Sequence, residues 1–340
     1  MVASILRNPL TAYLHMKQCL SFVGGWVKLF IVALASGLLF SQLTWSQESS
    51  KIKIDEVKET NKTQGEDVDE VITNSLLRAE SGSKSKLSIA TAFNYNGGSI
   101  QTPLSEDRPN VAASTGTIPK SNLQGQTSVK YNLNSRNSLM LGVGMRWISP
   151  LSSSGPHDFE GQRFDADNPY LTYQYLYKWL GIQSVMQVQA LAFTNSDLLA
   201  EGYVGQLQFD QENMYELGES GVSVGASTWV ALQSFNKTGP VGKLDDVRSD
   251  QSDYSFGIQP CVEYQFNDRF NLRAITSLWV FEHTRDMDAG SYFQDKIYES
   301  VGVGITVTRD IYLFPNISFL PEDIRSDRTN IGLNTNINVF

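Results

Sequence analysis

The chain has 340 residues, 41% of them hydrophobic and 19% charged, with a formal net charge of -9. That balance, without any run of Lys and Arg, excludes a phosphate-neutralising nucleic-acid binder. It fits a globular protein and a membrane β-barrel equally, because in a barrel only alternate strand residues face lipid.

From Met16, "MKQCLSFVGGWVKLFIVALASGLLFSQLTWSQESS" reads as a basic start, an apolar core from Leu29 to Phe40, and small residues at Thr44 and Ser46. Residues 1–46 are therefore expected to be a signal peptide, with Met16 as the natural start. The apolar core is shorter than the ~20 residues a spanning helix needs. Cys19 would leave with that segment, so the mature chain would keep Cys261 alone and no internal disulfide.

Residues 47–85 are polar, acidic and poor in aromatics, as in a linker. Within them, "EDVDEVITNSLLRAESGS" places Val68, Val71, Ile72, Leu76 and Ala79 at helical spacing, with Gly82 as a stop. A short amphipathic helix is expected here. Its stripe has four open fates: docking on the periplasmic mouth, entering a lumen, meeting a partner, or fraying beside the barrel.

From Lys86 the period changes to two. "KLSIATAFNY" alternates Leu87, Ile89, Thr91, Phe93 and Tyr95 against Ser88, Ala90, Ala92 and Asn94. Similar runs follow near 122–133, 137–149, 169–179, 182–194, 202–217, 221–235, 252–266, 270–284, 295–309, 311–320 and 329–340, about twelve strands in all. Short gaps ("NSR", "LG", "NDR") alternate with long ones ("PLSSSGPHDFEGQRFDADN", "NKTGPVGKLDDVRSDQ"), as in a barrel with tight turns at one end and long loops at the other. Aromatics on the apolar phase sit near strand ends: Tyr95, Trp147, Tyr254 and Phe256 towards the long loops, and Tyr131, Tyr177, Trp179, Tyr264 and Phe270 towards the short turns. Two such girdles suit lipid headgroup regions. The run "GYVGQLQFDQENMYEL" fits less well, because its outward phase carries Gln211 and Asn213, which requires a bulge or a wet patch.

With these features the chain resembles a Gram-negative outer-membrane β-barrel of the porin-like class, over residues 86–340 and the signal peptide. The resemblance implies an all-β, single up-and-down antiparallel barrel in the outer membrane with both termini periplasmic. It implies contact with membrane lipid and lipopolysaccharide, and insertion by the barrel-assembly machinery. The last strand, "NIGLNTNINVF", is similar to the class's assembly signal through Phe340, although Asn338 stands where an apolar residue is usual.

Strand phase places Lys130, Arg146, Gln174, Lys178, Gln187, Gln189, Gln206, Gln208, Glu263 and Arg273 inside, as candidate pore-lining residues. Their charges lean basic, which points to a mild anion preference. Glu263 and Arg273 face each other across "NDR" as a candidate ion pair. The inward glycines Gly142, Gly144, Gly225, Gly302 and Gly304 leave room for water, a packed loop or the helix, or serve strand curvature.

Catalytic readings fare poorly. Some twelve-stranded barrels are phospholipases with a His followed two residues later by Ser, then Asn; neither His157 in "SGPHDFEG" nor His283 in "FEHTRD" has that Ser. The acidic runs "DMDAGSYFQDK" and "DFEGQRFDADN" lack the regular spacing of a calcium loop. No enzyme activity, cofactor, resident metal or nucleic-acid partner is expected. The expected function is a narrow channel for small polar solutes or ions. The alternative is a structural or surface-binding barrel whose long loops meet a partner, and an outer-membrane hydrolase ranks third. The oligomeric state is open.

Overall fold

A computed structural model describes residues 68–109, 120–151, 163–200, 202–235, 252–284, 291–294 and 297–340. The expected signal peptide, His157, and most of the two acidic loops lie outside these residues.

Two short helices come first, α1 (Val68–Val71) and α2 (Ser75–Ser81). Strands β1 (Leu87–Ser99), β2 (Asn122–Asn132), β3 (Asn137–Ile148), β4 (Arg163–Trp179) and β5 (Ile182–Ala192) follow. A helix α3 (Ser196–Ala200) precedes β6 (Tyr203–Glu216), β7 (Val222–Phe235) and β8 (Ser252–Gln265). The chain ends with β9 (Phe270–Ser277), β10 (Trp279–Thr284), β11 (Ser291–Gln294), β12 (Tyr298–Thr308), β13 (Ile311–Phe319) and β14 (Asn330–Val339).

Neighbouring strands pair antiparallel in chain order from β1 to β8, β1 pairs with β14, and β8 also pairs with β9, which closes the sheet on itself. β9 and β10 are one barrel strand interrupted at Leu278: Gln259 donates to Ser277 at 2.8 Å, yet the next β8 residue, Ile258, pairs with Trp279. Leu278 is thus the extra residue of a bulge. β11 and β12 likewise form one strand opposite them, so the ring is a closed twelve-strand antiparallel barrel. Closure removes the unpaired edges that an open sheet would present.

The expected strands agree closely with these bounds. The main difference is β4, which extends back to Arg163 through residues read as loop. Asn168 adopts a positive φ of 54°, and the β3–β4 register shifts between Val143 and Gly144. This break hides the alternation on its far side.

The two faces separate by chemistry. Leu141 is 64% exposed and Trp179 66%, with Leu87, Val129, Leu171, Leu207, Leu232 and Phe270 also exposed on the same outward phase. Every aromatic assigned to the two girdles falls on this phase by register, for example Tyr95 opposite Leu123 and Tyr264 opposite Leu272. The opposite phase carries buried polar side chains, including Lys130, Gln174, Gln183 and Asn271. A soluble protein would reverse this pattern, so the exterior belt is built for an apolar solvent.

β6 keeps an unbroken register with β7 from Gly205 to Glu216, so no bulge relieves its two outward amides. They form the wet patch instead: Gln211 donates to Asn213 at 3.0 Å, and Ser184 on β5 donates to Asn213 at 2.8 Å.

Candidate functional site

The segment from α1 to Ser83 lies inside the barrel at its short-turn end. Of the four fates open to the apolar stripe, this is entry into the lumen, and the helix is not frayed beside the barrel. One helix was expected, but two form, because the turn at Thr73 and Asn74 leaves the helical path and Asn74 caps α2 by accepting from the Leu76 and Leu77 amides at 3.1 and 3.2 Å. At the other end Gly82 takes a φ of 80°, where a side chain would also run into Lys130.

Apolar contacts hold the two turns against the wall. Ile72 and Leu77 are 0% exposed and cluster with Val71, Leu176, Val185, Met214 and Cys261. Leu76 and Ala79 pack on Tyr312 and Phe314. These strand residues are apolar side chains on the otherwise polar inward phase of β4, β5, β6, β8 and β13. That exception is the signal in the sequence for a docked helix.

Polar ties then bind the segment around the wall. On β5, Gln183 accepts from the Thr73 and Asn74 amides at 2.7 and 2.9 Å and donates to Glu216 on β6 at 2.8 Å. Asn74 donates to Glu263 on β8 at 3.0 Å. Asn338 on β14 donates to the Ala79 carbonyl at 2.7 Å, and Gln174 on β4 to the Glu80 carbonyl at 2.9 Å. Lys130 on β2, 1% exposed, donates to the Ser81 carbonyl and to Gln174, the latter at 2.7 Å. Arg309, in the β12–β13 turn, donates to the Gly82 carbonyl at 2.7 Å and pairs with Asp69 at 2.8 Å. The last carbonyls of α2, which no helix can satisfy internally, thus meet a lysine, a guanidinium and two amides. The segment is a plug with ties spread around the lumen.

Its acidic side chain points to the same interior. Burial, and then the neighbouring Glu212 carboxyl, push the Glu80 acid well above the usual carboxylate range, while Arg273 and Asn336 pull it back.

All ten candidate lining residues fall on the inward phase by register, but they take different parts. Lys130, Gln174 and Glu263 are ties of the plug. Lys178 stands at the exposed rim beside Gln183, and Arg146 towards the long loops, opposite Asp165. Glu263 and Arg273 are direct register partners, yet form no ion pair among the described residues. Asn74 has taken Glu263 Oε1, Oε2 has no hydrogen-bond partner, and Arg273 turns to the Cys261 sulfur at 3.9 Å.

Above the plug the wall is rich in amides. Gln233 donates to Gln206 at 3.5 Å, Gln206 to Gln208 at 2.6 Å, and Gln208 to Asp210 at 2.7 Å. Gln189 reaches Thr172 at 3.1 Å and Gln126 at 3.4 Å, and Gln187 lies opposite Asp210. Among the described strand residues, the inward carboxylates Asp165, Asp210, Glu212, Glu216, Glu263 and Glu282 outnumber the basic Lys130, Arg146, Lys178 and Arg273. The expected basic lean, and with it the anion preference, is therefore corrected. Asp210 and Glu212 share the inward phase of Gln206 and Gln208, so the alternation of β6 itself carried the signal for them.

The inward glycines make room for neighbouring side chains. A Cβ on Gly142 would meet the Tyr170 hydroxyl at 2.5 Å, one on Gly225 the Met214 sulfur at 2.4 Å, and one on Gly304 the Tyr312 hydroxyl at 2.1 Å. His283 stacks on Tyr254 with ring centroids 4.7 Å apart. Phe340 follows the last paired residue with a φ of 83° and is 75% exposed.

No protein-family model matches the sequence, and a search of curated proteins finds no match. Among solved structures, an outer membrane channel from Pseudomonas putida F1 is similar over 76% of this chain and 98% of its own, with 14% identity and a TM-score of 0.46. The KdgM porin, in a complex with disordered oligogalacturonate, matches over 74% and 99% with 7% identity and a TM-score of 0.37. The NanC porin matches over 74% and 98% with 8% identity and a TM-score of 0.39. By its own geometry, a closed twelve-strand barrel that is apolar outside and polar inside, the chain has the architecture of a porin-like outer-membrane β-barrel.

Proposed function

We propose that the protein is an outer-membrane channel for small polar solutes or ions, plugged at its short-turn end by its own segment 68–83. The carrying observation is the polar inner wall above the plug, formed by the amides Gln206 and Gln208, the Asp210 carboxylate, and Gln187 and Gln189, inside an apolar exterior. A wall of this kind is wetted, and its surplus carboxylates favour cations over anions to a mild degree. Both termini face the periplasm in this reading, because the short turns and the plug share one end and outer-membrane barrels keep their short turns there. Phe340, exposed beyond the last ladder pair, is proposed as the recognition point for the insertion machinery.

The test is planar-bilayer recording of the full chain and of a variant loosened at the plug, Asn74→Ala. Discrete conductance steps, larger or more frequent in the variant and reversing at a potential that favours cations, are expected. A bilayer silent with both proteins, each migrating as a folded heat-modifiable band, overturns the channel reading.

A further inference from the structure

Trp229 is an aromatic side chain of the inner wall that stands outside both apolar clusters. At the middle of β7, it sits on the inward phase between Asp210 on β6 and Gly257 on β8, its two direct register partners. Its six-membered ring lies over Gly257: a Cβ there would stand 2.0, 2.3 and 2.4 Å from three ring carbons. Any other residue at 257 would push the ring off the wall. The indole is only partly buried. On the inward phase, its exposed part is turned to the lumen.

The surroundings of that part are amides and one carboxylate. Gln208 holds one oxygen of Asp210 at 2.7 Å, Gln206 holds Gln208, and Gln187 stands on the other side of Asp210. Amides and carboxylates present adjacent donors and acceptors that match vicinal hydroxyls, while a flat ring receives the C–H face of a pyranose. An anionic solute meets the Asp210 carboxylate here, with no basic group among these residues. Resting on the channel reading of this lumen, the geometry points to a subsite for an uncharged polyhydroxylated solute of mono- or disaccharide size, with Trp229 as stacking platform and Asp210, Gln208 and Gln187 as hydroxyl partners.

The experiment is calorimetric titration of the full chain, held in a detergent without a sugar headgroup, with maltose, glucuronate and tetramethylammonium. Saturable maltose binding is expected, with glucuronate weaker. Trp229→Ala should weaken it at least roughly tenfold, as loss of a stacking face does, and Trp229→Phe less. Gly257→Ala keeps the indole but displaces it, and should weaken maltose binding while the folded band persists; this separates placement of the ring from its mere presence. Maltose binding unchanged in Trp229→Ala and Gly257→Ala, or tetramethylammonium bound in place of maltose, overturns the subsite. Discrete conductance without maltose binding overturns the subsite and leaves the channel reading standing, whereas maltose binding to a barrel silent in bilayers supports the subsite and removes the channel.

Discussion

Asn74 is the most informative single position in the plug. Its side chain accepts from the Leu76 and Leu77 amides and donates to Glu263, so Asn74→Ala removes a helix cap and a tie to the wall at once. Loss of a cap costs about 1 kcal/mol, and stripping the last partner from a buried acceptor costs about 1–3 kcal/mol more. The docked state should lose about 2–4 kcal/mol, which raises the undocked fraction by roughly 30- to 1,000-fold. Cys261 supplies the readout. It is buried in the apolar cluster under Ile72 and Leu77, with its sulfur 3.5 Å from that of Met214. A small thiol reagent reaches it only when the plug leaves, so the labelling rate, followed by mass spectrometry on the peptide containing Cys261, tracks the undocked fraction. Asn74→Ser keeps a capping oxygen but is too short to reach Glu263, and should fall between the two. Labelling of Asn74→Ala at the wild-type rate would refute the docking energetics.

Three further outcomes follow from the same geometry. Because burial and Glu212 hold the Glu80 acid high, the docked state is favoured while that group stays protonated and loses the advantage as pH rises through its raised value; Arg273, Tyr312 and Glu263 are the other titratable groups around it. Cys261 labelling should accelerate with pH beyond the thiol's own ionisation, and Glu80→Gln should remove the excess; identical pH profiles for the two proteins would exclude Glu80 as the sensor. Gly142→Ala forces a methyl to within 2.3 Å of the Thr127 carbonyl and against Tyr170, where the backbone contact cannot yield, so a loss of about 1–3 kcal/mol is expected, read as a lower temperature for loss of the folded gel band. Replacing the outward amides together, Gln211→Leu with Asn213→Leu, should raise that temperature in lipid, since the patch faces an apolar solvent; a lower temperature would mean that something polar covers it.

The barrel was legible because each strand carries two media on its two sides, and the twelve runs survive as period-two alternation even where hydropathy is weak. Legibility failed where a bulge inverts the phase, as at Asn168 in β4 and Leu278 between β9 and β10, since one extra residue carries no compositional mark. The stripe of Val71, Ile72, Leu76 and Ala79 was legible as a helix face, but its destination was not. That information was held by the distant Leu176, Val185, Met214 and Phe314, which look like ordinary apolar strand residues until their phase is assigned. The Glu263–Arg273 register was right and the ion pair was not, because the partner that displaced it, Asn74, comes from an element 189 residues earlier.

The plug is joined to the wall it closes. Only residues 82–86 separate the end of α2 from Leu87, the first residue of β1. Fully extended, those five residues span about 17 Å. The released segment therefore swings on a tether no longer than the barrel is deep, and its effective concentration at the mouth stays at about the millimolar level or above. Rebinding is unimolecular and independent of protein concentration, so open intervals in a single-channel record should be brief and identically distributed at any dilution.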